Sequence, residues 1–167
     1  MMLLDRLLES FDRNCLILDN LSALVTPENC HQKPSEDGMP LYHQLAHVHV
    51  VRQSWLVQFS AKHAALLSNT YSQNGEEWVP ITDLNEIRHQ IKLSAKAVRD
   101  AVEEKINEGA EKVGPYDHPV MFLQHMLWHD GYHFALIHLG LRLAGVEITE
   151  IWEEKNVWGI WRDEEEY

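Results

Sequence analysis

The residues best suited to chemistry are histidines at regular helical spacing. His125, His129 and His133 stand four apart inside the apolar run "LQHMLWHDGYHFALIHLG", and His43 and His47 stand four apart in "LYHQLAHVHVVRQSWL". A helix turns about 100° and rises about 1.5 Å per residue, so imidazoles at i and i+4 share a face and can reach one ion. Residues at i and i+8 lie about 12 Å apart along the axis, too far to share an ion whose ligands each sit about 2 Å from it. One metal therefore takes His125 with His129, or His129 with His133, and His129 belongs to both pairs. A lone helical histidine is ordinarily structural. Two sets on separate helices differ, because several imidazoles turned toward one core need partners for their lone pairs, and a cation provides one. His138 lies about 140° around the helix from His133 and belongs to another face. His49 points away from His47 and reads as a surface residue or a hydrogen bonder at the core edge.

These positions need long helices, and the apolar pattern provides four. Leu3, Leu4, Leu7, Leu8, Phe11, Cys15, Leu18 and Leu21 define the first, over 3–24. "TPENCHQKPSEDGMP" is a loop, and Pro40 begins the second helix, which runs from about Leu41 to Leu67 with Leu45, Val48, Val51, Trp55, Leu56 and Phe59 facing inward. "SNTYSQNGEEWVP" reads as another loop. Thr82 is the expected N-cap of the third helix, with Asp83 and Glu86 near its positive end and Gly109 at its stop. Pro119 opens the fourth and Gly145 ends it. Helices of this length bury their stripes best against one another, which predicts an all-α four-helix bundle. "VEITEIWEEKNVWGIW" follows as a short C-terminal helix or strap over one bundle end, with Trp152, Trp158 and Trp161 as its anchors. The 167 residues suit one domain, 1–167.

Composition narrows the partners. Acidic residues outnumber basic ones 26 to 14, and a formal charge of -12 repels phosphate backbones and anionic lipid, so neither nucleic acid nor a membrane is expected. The acidic end "RDEEEY" reads as solvated. No stretch is long and apolar enough to cross a bilayer, and the N-terminus lacks the pattern of a signal peptide. Cys15 and Cys30 fit reduced thiols of a cytoplasmic protein better than a bridge. Neither a GxGxxG turn nor a P-loop is present, and no Glu-x-x-His pair lines the inner faces as a di-iron bundle requires. "HDGYH" carries Asp130 where a zinc protease needs glutamate. A small-molecule substrate remains, and a homodimer is compatible with these residues.

"LAHVHVVRQSWL" and "HMLWHDGYHFALIHLGLRLAG", with Arg142 and Gly145 in register, resemble the two motifs of the DinB/YfiT family of four-helix-bundle metalloproteins. The resemblance spans nearly the whole chain. It implies His47, His129 and His133 as the metal ligands and makes His125 a neighbour. It also implies a metal-dependent enzyme, since the family includes thiol-cofactor-dependent transferases and isomerases. Where the family has Arg-Gly-Gln after the last ligand, this sequence has Phe134, Ala135 and Leu136, which implies that a polar shell around the metal is missing. Asp130 replaces the glutamate that often follows the second ligand and either hydrogen-bonds near the site or faces solvent, with solvent the favoured reading.

Three neutral imidazoles leave a coordination position open, the arrangement of a catalytic rather than a structural site. Such a site acidifies a bound water or thiol, so the expectation is hydrolysis or thiol transfer on a small molecule, with a divalent metal, zinc or nickel, and a low-molecular-weight thiol as an optional cofactor. The alternative is a noncatalytic metal-binding or sensory bundle, closed by His43 as a fourth ligand. His43, His125 and Tyr132, with Tyr42, are the candidates for acid/base or supporting roles. Gly131 costs about 1 kcal/mol against alanine inside a helix, which suggests close approach of another helix or a ligand.

Overall fold

A computed structural model describes residues 3–162; most of the acidic end, residues 163–167, lies outside them. In chain order the elements are α1 (Leu3–Ser22), α2 (Leu41–Phe59), α3 (Ala61–Ala64), β1 (Tyr71–Asn74), β2 (Glu77–Pro80), α4 (Leu84–Asn107), α5 (Pro119–Leu143) and α6 (Glu150–Glu153). The four long helices form the bundle, with α4 and α5 each packed against both α1 and α2. The caps follow the sequence with one shift. Asp83, not Thr82, caps α4, its carboxylate accepting from the backbone N–H of Asn85 and Glu86 at 3.0 and 3.1 Å. Gly109 and Gly145 end α4 and α5 with φ of 72° and 80°, where a side chain would be strained.

The core is layered. One apolar cluster gathers Leu18, Leu21, Leu45, Ile87, Ile137 and Leu141, and a second gathers Leu8, Phe11, Leu56, Val98, Phe122 and Met126. At the level between them each helix contributes a different kind of residue: Cys15, Arg52, Ser94 and Asp130, the last three buried. This polar layer positions the site.

Two segments depart from the sequence expectation. The second helix does not run to Leu67; it breaks at Ser60, whose backbone turns to φ -146°, and α3 follows as a single turn. Ser60 Oγ pairs with His63 Nδ1 at 2.6 Å, so the side chain stabilises the break. The segment expected to be a loop folds into an antiparallel hairpin, Tyr71 opposite Pro80 and Asn74 opposite Glu77, with Gly75 in its turn.

The C-terminal strap is present, but it does not cover a bundle end. After α6 it continues as a π-helical turn (Glu154–Trp158) and a 3-10 turn (Gly159–Trp161), running back along α1. Asn20 donates to the Asn156 carbonyl at 3.2 Å and Arg13 to that of Ile160 at 2.6 Å. Trp152 packs on the core as an anchor, whereas Trp158 and Trp161 are exposed and Val157 is the buried residue of the strap.

Candidate metal centre

His47 on α2 faces His129 and His133 on α5. Ring centroids lie 5.4 Å apart for His47 and His129, 4.9 Å for His47 and His133, and 4.5 Å for His129 and His133. One nitrogen from each ring lies within 4.8 Å of the other two. Nitrogens around one tetrahedral ion at about 2.1 Å stand roughly 3.4 Å apart, so small side-chain rotations close the set on a metal. Of the two pairs that spacing alone left open on α5, the structure brings His129 with His133 to His47.

The free lone pair of His133 is defined by its neighbour. Gln44, one turn before His47, donates through its amide N–H to the Met39 carbonyl at 3.2 Å, so its oxygen faces His133 and accepts from Nδ1–H at 2.5 Å. Nε2 is left to bind. Burial, reinforced by the neighbouring imidazoles, pushes the His133 pKa down to about 3, and burial likewise lowers His47. Both rings are therefore neutral at pH 7, as ligands must be.

Asp130 is not at the surface. It is buried against Arg52, which donates from Nη2 to its Oδ2 at 2.5 Å while Asn14 donates to the same oxygen at 3.3 Å. Arg52 also donates to the Ile91 carbonyl at 3.1 Å. The other carboxylate oxygen, Oδ1, has no hydrogen-bond partner among the described residues and lies 3.9 Å from His129 Nδ1, which has none among them either. An anchored carboxylate thus stands behind one imidazole of the cluster.

The remaining candidates separate. His43 is turned to Tyr71, rings 5.7 Å apart, and does not join the three-histidine cluster. His125 belongs to an aromatic group with Trp55 and Tyr116, whose hydroxyl pairs with its Nδ1 at 2.6 Å. Tyr132 is exposed, its ring edge-on to His133 at 5.2 Å. His138 pairs with Glu153 at 2.8 Å, and His49 is fully buried, not at the surface, its two ring nitrogens 2.9 and 2.8 Å from the carbonyls of Gln90 and Ser68. Gly131 has nothing within 4 Å of where a Cβ would stand; the close approach is at Gly140, where Leu41 Cδ2 would lie 2.5 Å away. Cys15 and Cys30 are both free, and burial pushes the Cys15 thiol up to about 12.

A cleft of about 280 Å³ opens on His47, walled by Val50, Asn69, Tyr71 and Trp78. The hairpin supplies two of those walls. Its Asn-Gly turn was visible in the sequence, but nothing there indicated that it would stand beside His47.

The DinB family model matches residues 1–162. The chain belongs to the DinB family. No curated protein and no solved structure matches it. Where this DinB chain has Phe134 in place of the expected arginine, the ring packs on the core and stacks on His138 at 5.9 Å. Polar support at the site is not missing; His133 is held by Gln44 on α2.

Proposed function

We propose that His47, His129 and His133 hold a divalent metal, zinc or nickel, and that the protein is a metal-dependent enzyme acting on a small molecule by hydrolysis or thiol transfer. The observation that carries this reading is the convergence of three imidazole nitrogens within 4.8 Å from two helices. The donor set fits such an ion, being all-nitrogen, with His47 and His133 held neutral by burial. When bound, the metal supplies Lewis acidity to polarise a substrate and to acidify a water or a low-molecular-weight thiol. The protein does the rest. Gln44 fixes the His133 tautomer, and the cleft admits a small molecule beside His47. Tyr71, pushed up to about 12 by burial, keeps its phenolic proton at neutral pH and can donate it to a hydrogen bond. With His43 turned to Tyr71, the site has three histidine ligands, which favours an open catalytic position over a closed structural one.

A reducing cytoplasm suits the two free cysteines. Among the described residues, no helix is long and apolar enough to cross a membrane. The charge of -12 disfavours nucleic acid and anionic membranes as partners.

Elemental analysis of the purified protein beside His47→Ala, His129→Ala and His133→Ala tests the site. About one ion per chain is expected in the wild type, with loss in each variant; full metal content in all three overturns the assignment. In cobalt-substituted protein, a visible spectrum that shifts on adding a small thiol identifies an open position, and one that does not shift rejects the catalytic reading.

A further inference from the structure

The cleft on His47 belongs to a chain with a net charge of -12, yet none of its walls is charged at neutral pH. Val50 and Trp78 are apolar and Asn69 is neutral, while burial lowers the His47 pKa and raises that of Tyr71 to about 12. An ionised ligand finds no counter-charge in such walls, and an anion also meets the field of the whole chain.

The hairpin gives the cleft its shape. Tyr71 pairs with Pro80 and Gln73 with Trp78, so strand alternation puts Tyr71 and Trp78 on one face as diagonal neighbours, roughly 7–8 Å apart. His43 braces the Tyr71 ring, centroids 5.7 Å apart and planes at 69°. Trp78 is 60% exposed and makes no ring contact among the described residues. A flat ring touches a neighbour at about 3.5–4.0 Å, so one ring fills the space between two others held about 7–8 Å apart. Asn69 Oδ1 accepts the backbone N–H of Tyr71 at 2.9 Å, which leaves its amide N–H groups, with the Tyr71 hydroxyl, as donors to a ligand oxygen. At about 280 Å³ the cleft is small for a ligand site and has room for one ring with a short substituent.

We propose that this cleft binds a small, uncharged aromatic compound, its ring slotted between Tyr71 and Trp78 and an acceptor oxygen held by Asn69. The proposal names the substrate class of the metal-dependent enzyme inferred above and rests on that reading. Trp78 and Tyr71 supply the stacking surfaces, Val50 the apolar floor, and Asn69 fixes which end of the ligand lies where. A carboxylate or other anion of the same size is the rival occupant, and the neutral walls disfavour it.

NMR titrations of the full chain with benzyl alcohol, benzoate and cyclohexylmethanol, followed at the Trp78 indole N–H, read the outcome, with chelator present so that no ion contributes. Benzyl alcohol is expected to bind at about 1 mM, about 10-fold tighter than benzoate and about 3-fold tighter than cyclohexylmethanol. Trp78→Ala, followed at the Tyr71 backbone N–H, is expected to weaken the alcohol about 10-fold, with circular dichroism showing that both chains keep their helices. No shift up to about 20 mM alcohol, equal binding of benzoate or of cyclohexylmethanol, or indifference to Trp78→Ala each overturns the inference. Because these titrations need no metal, such a failure leaves the three-histidine reading standing. A chain that binds the alcohol as expected yet takes up no metal overturns the proposed function and keeps the ring site.

Discussion

Two polar groups sit side by side between the apolar clusters, and their needs are met in opposite ways. Arg52 and Asp130 are charged, sealed from water and joined to each other across α2 and α5. One residue along α5, His129 begins a set of imidazoles whose nitrogens converge on one point. The ion pair is closed and structural; the histidines are poised to take something more. Adjacent residues of one helix thus serve opposite ends, because one faces a counter-charge and the other a gap. The pair also ties together the two helices that carry the three histidines.

The sharpest way to break this contrast is to remove half of the pair. Asp130→Ala leaves Arg52 buried without its counter-charge, and urea unfolding is expected to show a loss of about 3–5 kcal/mol. Arg52→Met with Asp130→Leu should recover most of it. If metal is then still retained in full, the pair is purely structural; if the fold recovers and the metal does not, Asp130 Oδ1 supports His129.

Acid separates the groups next. In metal-stripped protein the folded-state pKa of His133 is lowered from 6.5 to about 3, so the unfolded chain takes up its proton first as pH falls. The native state is fully favoured at this residue above about pH 6.5 and loses on the order of a few kcal/mol between there and pH 3. Urea midpoints measured across that window should decline, and should decline less in His133→Gln.

Gln44→Met keeps most of the volume and removes the acceptor for His133 Nδ1–H. Competition with a chromophoric chelator is expected to show metal affinity reduced about 10- to 100-fold. The smallest effects lie on the glycines of α5. Gly131→Ala should stabilise the folded chain by about 0.5–1 kcal/mol, whereas Gly140→Ala should destabilise it, because Leu41 already occupies that space. Thermal melts of the two variants should move in opposite directions.

The four long helices were legible because their period and their proline and glycine boundaries agree. The early end of α2 was not, since Leu66 and Leu67 continue an apolar pattern past the break that Ser60 makes. The hairpin was missed although Asn74-Gly75 signals one, because strands of four residues carry too little alternation to be distinguished from a loop. At the site, helical spacing offered two histidine pairs and the family motif chose between them. Gln44 escaped notice because a glutamine has no chemical signature until its partner is known. Arg52 and Asp130 are 78 residues apart, and no spacing rule links residues on different helices. Asp130 therefore looked like any polar residue free to face water.

The hairpin beside His47 is attached to the bundle chiefly through α2, while the three imidazoles rest on long helices. On the proposed function, recognition and reactivity would be housed on separate parts. Replacing Trp78 or the residues of the turn would redraw what the entrance admits while leaving the three histidines undisturbed, so one scaffold could acquire new clients through changes in a short, solvent-facing ribbon.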